Sequence, residues 1–289
     1  MLDNNHIMNY NVFVKICLSL NWLRSVLSGI PLSSDTERVV YMIRRIEEDR
    51  IFTRELIGSK TNEIESEIKG IIDISFSGES AQADYDFFDI KGSALIHGIP
   101  GIGKTSIMNN CMSYALEEYG ADCYELVPSE IIDSLLGKAT QNLSEALQEF
   151  ESKEKGILFI DELDRLCVNR EEEDVSELKR MLIELMQFFD RLRATDEKVV
   201  LCCTNVITQI DPALIRRFAV VEEVPCPSKE DVVEFANICM KKSGFRGIVV
   251  GIRPNDGVLS MDKVKEVFRR ALLKHDSGLI SEQFILEGE

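Results

Sequence analysis

Between Ser93 and Val224, short apolar runs alternate with longer stretches in which apolar residues return every three or four positions. The short runs predict strands over Ser93–His97, Asp122–Val127, Gly156–Ile160, Val199–Thr204 and Val220–Val224. The longer stretches predict helices over Ser106–Tyr119, Ser129–Leu135, Asn142–Ser152, Val175–Ala194 and Asp211–Phe218. Strictly alternating elements of this kind build an α/β fold: a doubly wound parallel five-stranded sheet with helices on both faces. A ligand then belongs at the carboxyl ends of the strands.

Outside this region the pattern changes. Before it, Val39, Met42, Ile43 and Ile46 recur at helical spacing, and a second amphipathic stretch runs from Glu55 through Ile68. After Pro225-Cys226-Pro227 the chain predicts helices over Ser228–Ser243 and Ser260–His275, with an extended piece at Gly247–Ile252. The expected organisation is therefore an N-terminal helical region (1–75), a large α/β domain (76–227) and a small C-terminal helical lid (228–289). On the second lid helix Val264, Val267, Phe268 and Leu272 form the inward stripe, which leaves Arg269 and Arg270 to solvent.

Composition narrows the function classes. With 45% hydrophobic and 29% charged residues, the 289-residue chain has ample material for a buried core. A net charge of −17 argues against a generally nucleic-acid-binding surface. The eight cysteines form no C-x-x-C pair and several lie in apolar runs, which reads as buried thiols in a reducing cytoplasm. Val12 to Leu32 is the one segment that resembles a membrane span, but Lys15, Asn21 and Arg24 interrupt it and Gly29-Ile30-Pro31 ends it. A buried or partner-facing helix is expected there, and no membrane association.

The chemistry starts at Gly98-Ile99-Pro100-Gly101-Ile102-Gly103-Lys104-Thr105, which fits G-x-x-x-x-G-K-[ST] and follows a predicted strand. The glycines let backbone N–H groups curl around a phosphate, Lys104 brings charge to the β/γ oxygens, and Thr105 offers a hydroxyl to Mg²⁺. Ser106 opens the helix that follows, whose N-terminal dipole favours an anion. ATP and Mg²⁺ are the expected ligands. Four apolar residues, Ile157 to Ile160, then lead into Asp161-Glu162, as in a central strand ending at the ligand crevice. Asp161 is placed to hold the metal with Thr105, and Glu162 to polarise an attacking water.

In these residues the chain resembles the AAA family of ATPases over roughly residues 90 to 275. Leu163-Asp164-Arg165 continues Asp161-Glu162 as in that family's D-E-[IL]-D, and Ile210 to Phe218 looks like its second region of homology. Glu177-Leu178-Lys179-Arg180 is similar to the E-L-K-R helix of bacterial members. The resemblance implies that Asn205 orients the water or the γ-phosphate. It also implies that Arg216 and Arg217 are arginine fingers acting on the nucleotide of a neighbouring subunit, since a guanidinium fork neutralises charge on a transferring phosphoryl group. Hydrolysis would then require a ring, a hexamer by resemblance. The first pore loop would carry Leu135-Leu136-Gly137, with leucine where threading members place an aromatic, and Glu171 to Asp174 would form an acidic second loop. Leu259-Ser260-Met261-Asp262 stands where the family's lid carries Gly-Ala near the nucleotide. The function so implied is ATP-driven remodelling or translocation of a protein client. Two alternatives stay open: a switch that activates a partner protease or other effector, and a DNA-associated loader or helicase.

Overall fold

The computed structural model describes residues 43–51, 53–77, 85, 87–132, 138–167, 175–193, 196–253 and 260–287. Val12 to Leu32, Val39, Met42, Leu135 to Gly137, Glu171 to Asp174 and Leu259 lie outside them, so the expectations placed there are not addressed.

The sheet contains β1 (Ile43–Arg45), β2 (Ser93–His97), β3 (Asp122–Leu126), β4 (Gly156–Ile160), β5 (Lys198–Thr204) and β6 (Val220–Glu223), in the spatial order β1-β3-β4-β5-β2-β6. The last five are the parallel strands expected from the sequence. Their near-continuous apolar character has a simple cause: both faces are covered. Leu95, Leu158, Ile160, Val200 and Cys202 point into one core, under helices Ala139–Glu151 (α4) and Val175–Arg191 (α5). Ala94, Ile96, Ile157, Phe159, Leu201 and Cys203 point into the other, under Ser59–Phe76 (α1) and Lys104–Tyr119 (α2). The alternation is the period-2 pleat of a strand.

One expectation fails at the N-terminal edge. Ile43 and Ile46 are spaced as on a helix, yet Ile43–Arg45 is a strand pairing antiparallel with β3. Residues three apart share a face on a helix but take opposite faces on a strand, and here edge pairing decides: Ile43 packs into one core and Ile46 against the other. Ile43 is buried, while Arg44 pairs with Glu130 and Arg45 with Asp122 at 2.6 Å. A short, charged edge strand also discourages further strand addition. The second N-terminal helix exists but starts at Ser59, after Gly58 at a positive φ of 94°, and packs Ile64, Ile68 and Ile72 on the sheet. Before it, Thr53 to Ile57 run without regular structure.

The shorter connecting elements differ in length from expectation. The turn after β3 is helical over Pro128–Ile132 (α3), with the remainder of the expected Ser129–Leu135 outside the described residues, and the helix expected over Asp211–Phe218 is confined to Pro212–Ile215 (α6), capped by the Asp211 side chain on Ala213 N–H at 2.7 Å. In contrast α4 starts earlier than predicted, because Glu177 of α5 accepts from its first backbone N–H groups, Ala139 at 3.0 Å and Thr140 at 3.4 Å. A carboxylate there satisfies orphan donors and complements the helix dipole.

The C-terminal part has its own core. Lys229–Ser243 (α7) opens with a capping box between Ser228 and Asp231, and Met261–Lys274 (α8) is capped by Ser260. The extended piece, Ile248–Ile252 (β7), finds an antiparallel partner that periodicity did not reveal, Phe284–Glu287 (β8), reached through the short helix Gly278–Ser281 (α9). Val232, Ala236, Met240, Val249, Phe268 and Phe284 fill the space between these elements.

Candidate nucleotide site

The loop between β2 and α2 faces a cleft of about 990 Å³. Two of its glycines are sterically required. At Gly98 (φ 146°) a Cβ would lie 2.7 Å from the Val224 carbonyl oxygen; at Gly101 (φ 79°) it would lie 3.0 Å from an Asp262 carboxylate oxygen. The backbone of Pro100 to Ser106 lines the cleft, whereas Gly98 and Ile99 serve it indirectly: their carbonyls accept from Lys104 Nζ at 2.8 and 2.9 Å.

Lys104 is 7% exposed and makes a third bond, donating to Asn205 Oδ1 at 2.7 Å. The helix begins at Lys104 itself, so the ammonium and the first free N–H groups of α2 share one end of the cleft. Burial pushes the Lys104 pKa down, because desolvation penalises the charged form; Cys203, Asp161, Asp164 and Asp262 act in the opposite sense.

At the carboxyl end of β4, Thr105 Oγ1 lies 3.3 Å from Asp161 Oδ2. A hydroxyl and a carboxylate converging beside the phosphate loop make a hard-oxygen donor set, which suits Mg²⁺. Glu162 follows in a left-handed conformation (φ 54°), uncommon for a residue with a side chain. Its N–H donates to Asp161 Oδ1 at 2.9 Å and its carboxylate pairs with Arg165 at 2.5 Å. Asp164, singled out only as part of a motif, accepts a 2.5 Å bond from the fully buried Thr204 hydroxyl, which in turn accepts from Val206 N–H at 3.1 Å. The pair fastens the end of β5 to the turn after β4, with Asn205 between the two anchored residues.

Asp161, Glu162, Asn205, Lys104, Thr105 and Ser106 are thus brought together. Arg216 and Arg217 are not: neither lines the cleft. Arg217 is forked onto Asp190 of α5 at 2.8 and 3.0 Å and donates to the Ala213 carbonyl at 2.6 Å. Arg216 is exposed, with its Nε donating to the Pro212 carbonyl at 3.2 Å.

The other walls carry no motif of their own, and the resemblance places only Leu259 to Asp262 near a nucleotide. One is the strap Thr53 to Ile57, in a segment without a recognisable motif. The other is the lid: Phe235 and Ile238 of α7, and Met261, Asp262, Phe268, Arg269 and Leu272 of α8. Arg269 is exposed, as expected, at the edge of the cleft, and Arg270 is exposed and pairs with Glu266 at 3.6 Å; Leu272, expected inward, is instead 45% exposed and lines the cleft. Recurrence of Met261, Lys265, Phe268, Arg269 and Leu272 at helical spacing was the available signal. The lid approaches the loop closely, with Asp262 N–H donating to the Gly101 carbonyl at 3.3 Å. Phosphate donors at one end and apolar surface at the other suit a nucleotide triphosphate.

Comparison with known proteins agrees with this geometry. The family model described as "ATPase family associated with various cellular activities (AAA)" matches residues 94–226, the span from β2 to just past β6. Residues 94–226 form a domain of the AAA family of ATPases. Over 258 residues, 84% of its length, the chain is 25% identical to a proteasome-activating nucleotidase of Methanococcus maripaludis, of which it covers 61%. It is 34% identical over 150 residues to a putative cell division cycle ATPase of Plasmodium falciparum, matching 51% of this chain and 12% of that one. A cell division cycle protein 48 homolog of Archaeoglobus fulgidus is 33% identical over 51% of the chain and 20% of its own length. The chain thus spans under two thirds of each of these relatives. Among solved structures, a chain of the E. coli MS115-1 HORMA:CdnC:Trip13 complex superposes with a TM-score of 0.55 at 18% identity, over 78% of this chain and 79% of that one, a likeness of fold.

Proposed function

We propose that the chain binds Mg²⁺ and ATP in this cleft and hydrolyses ATP as one subunit of a ring, a hexamer by family resemblance, that remodels or translocates a protein client. In this reading residues 76–227 are the ATPase domain, 228–289 the lid, and the N-terminal region engages the client or another protein, in the cytoplasm. The loop backbone and Lys104 hold the β- and γ-phosphates, while Thr105 and Asp161 hold the metal. Bound there, the metal neutralises charge on the phosphate oxygens. Glu162 polarises the attacking water once its carboxylate parts from Arg165. Asn205, fixed by the Thr204–Asp164 bond, orients the γ-phosphate or the water.

The observation that supports assembly is the position of Arg216: it is exposed and outside its own chain's cleft. A guanidinium so placed can neutralise phosphoryl charge only on another copy. ATP binding and hydrolysis would then make and release the contact between subunits, which is the differential affinity that force requires.

Glu162→Gln in ATP tests this reading by pull-down. The variant should retain a protein that the wild type releases, and equal recovery from both refutes the motor. The name of the archaeal relatives supports a second reading, a switch acting on a protease-like partner. Partner activation that needs ATP but survives Glu162→Gln would favour it.

A further inference from the structure

Asn110 is an amide buried in the middle of α2, 4% exposed and flanked by apolar neighbours such as Ile107 and Cys111. A side-chain amide at such a place is costly unless both halves are paired. Here both are, and to one residue: Arg54 N–H donates to Asn110 Oδ1 at 2.7 Å, and Asn110 Nδ2 donates to the Arg54 carbonyl at 2.9 Å. The amide imitates a neighbouring strand and fixes the main chain of the strap. A longer contact, Arg54 Nη1 to Ser106 Oγ at 3.4 Å, joins the strap to the first turn of the same helix.

Thr53 to Ile57 form a wall of the cleft that adjoins the lid, with Glu55 3.2 Å from Lys242 of α7, and α2 begins with the phosphate-binding Lys104 and Thr105. Six residues of helix, about 9 Å of rise, separate Lys104 from Asn110. One rigid rod therefore carries both the phosphate cradle and the pin that sets the far wall. Resting on the nucleotide reading above, we infer that Asn110 is a positioning residue for nucleotide binding: it holds the strap at a fixed distance from the phosphate loop, so that the nucleoside half of the ligand meets a preformed wall. Without the pin, each binding event must order the strap, and part of the affinity is lost to that ordering.

The experiment compares a ligand that spans the cleft with one that occupies the phosphate end alone. ATP and inorganic tripolyphosphate, each with Mg²⁺, are titrated against a fluorescent ATP analogue on the full chain, for wild type, Asn110→Ala and Asn110→Asp. In Asn110→Ala the affinity for ATP should fall about tenfold, the loss expected for freeing one loop, while that for tripolyphosphate holds. In turnover the same variant should raise KM and leave kcat. Asn110→Asp, which still accepts from Arg54 N–H, should recover part of the loss. If the alanine variant does not fold, the aspartate variant alone should lower the ratio of ATP to tripolyphosphate affinity. A folded variant in which both ligands weaken equally, or neither does, overturns the inference. A wild type that binds tripolyphosphate but not ATP, or binds neither, refutes the nucleotide reading itself and this inference with it.

Discussion

Thr204→Val replaces a buried hydroxyl with a methyl group of the same shape, so any effect comes from hydrogen bonding rather than from a cavity. The hydroxyl donates to the Asp164 carboxylate at 2.5 Å and accepts from Val206 N–H at 3.1 Å, and Thr204 is fully buried. A bond to a charged group contributes about 1.5–3 kcal/mol and a neutral one about 1 kcal/mol. Asp164 is only half-buried, so water regains part of its carboxylate when the partner goes. The expected loss is therefore about 2 kcal/mol, a sizeable share of the 5–15 kcal/mol typical of a domain. Urea denaturation should show a lower midpoint at unchanged m-value. Because Asn205 follows directly, kcat should fall as well, by about tenfold if its amide loses orientation by a comparable energy. A variant within about 0.5 kcal/mol of wild type, with unaltered kcat, would show that the bond neither stabilises the strand end nor places Asn205.

Arg216→Ala should abolish most ATP turnover with little change in stability, whereas Arg217→Ala and Asp190→Ala should resemble each other and cost clearly less in combination than the sum of the two, because they break one fork; a double-mutant cycle in which Arg217 and Asp190 are independent would refute the pairing. The lowered Lys104 pKa gives a pH dependence of definite sign. A triphosphate favours the ammonium, so binding takes up a proton wherever the free amine is neutral, and ATP affinity should fall with rising alkaline pH below the ordinary lysine range. Lys104→Arg, charged throughout, should show a flat profile whatever its absolute affinity, and identical slopes in the two proteins would exclude Lys104 as the group responsible. Gly101→Ala forces a side chain into a left-handed backbone 3.0 Å from Asp262; a cost of about 1–2 kcal/mol, read by thermal unfolding, should accompany weaker ATP binding, and full retention of both would mean that the lid gives way freely.

The parts of the fold that follow from period alone were legible. Strands covered on both faces must be continuously apolar, and Ile157 to Ile160 has no other use. The phosphate loop was legible for a different reason: close backbone approach demands glycine and the anion demands lysine, so chemistry fixes the residue types. The edge strand was not, because a three-residue strand holds too few positions to separate a period of 2 from one of 3.6. Arg216 and Arg217 were read as equivalent neighbours; their difference depends on Asp190, which lies on another helix and leaves no local mark. The strap and its pin at Asn110 were invisible for the same reason, since the two ends are 56 positions apart.

The C-terminal elements enclose their own apolar interior and meet the phosphate loop at the narrow contact between Asp262 and Gly101. A piece so built turns as a unit instead of bending. Helix α7 is about 22 Å long at 1.5 Å per residue, so a rotation of about 10° across its axis displaces one end relative to the other by about 4 Å by simple lever geometry. On the proposed reading, a lid that responds to the third phosphate would turn its presence or loss into a swing broad enough for an adjoining molecule to feel.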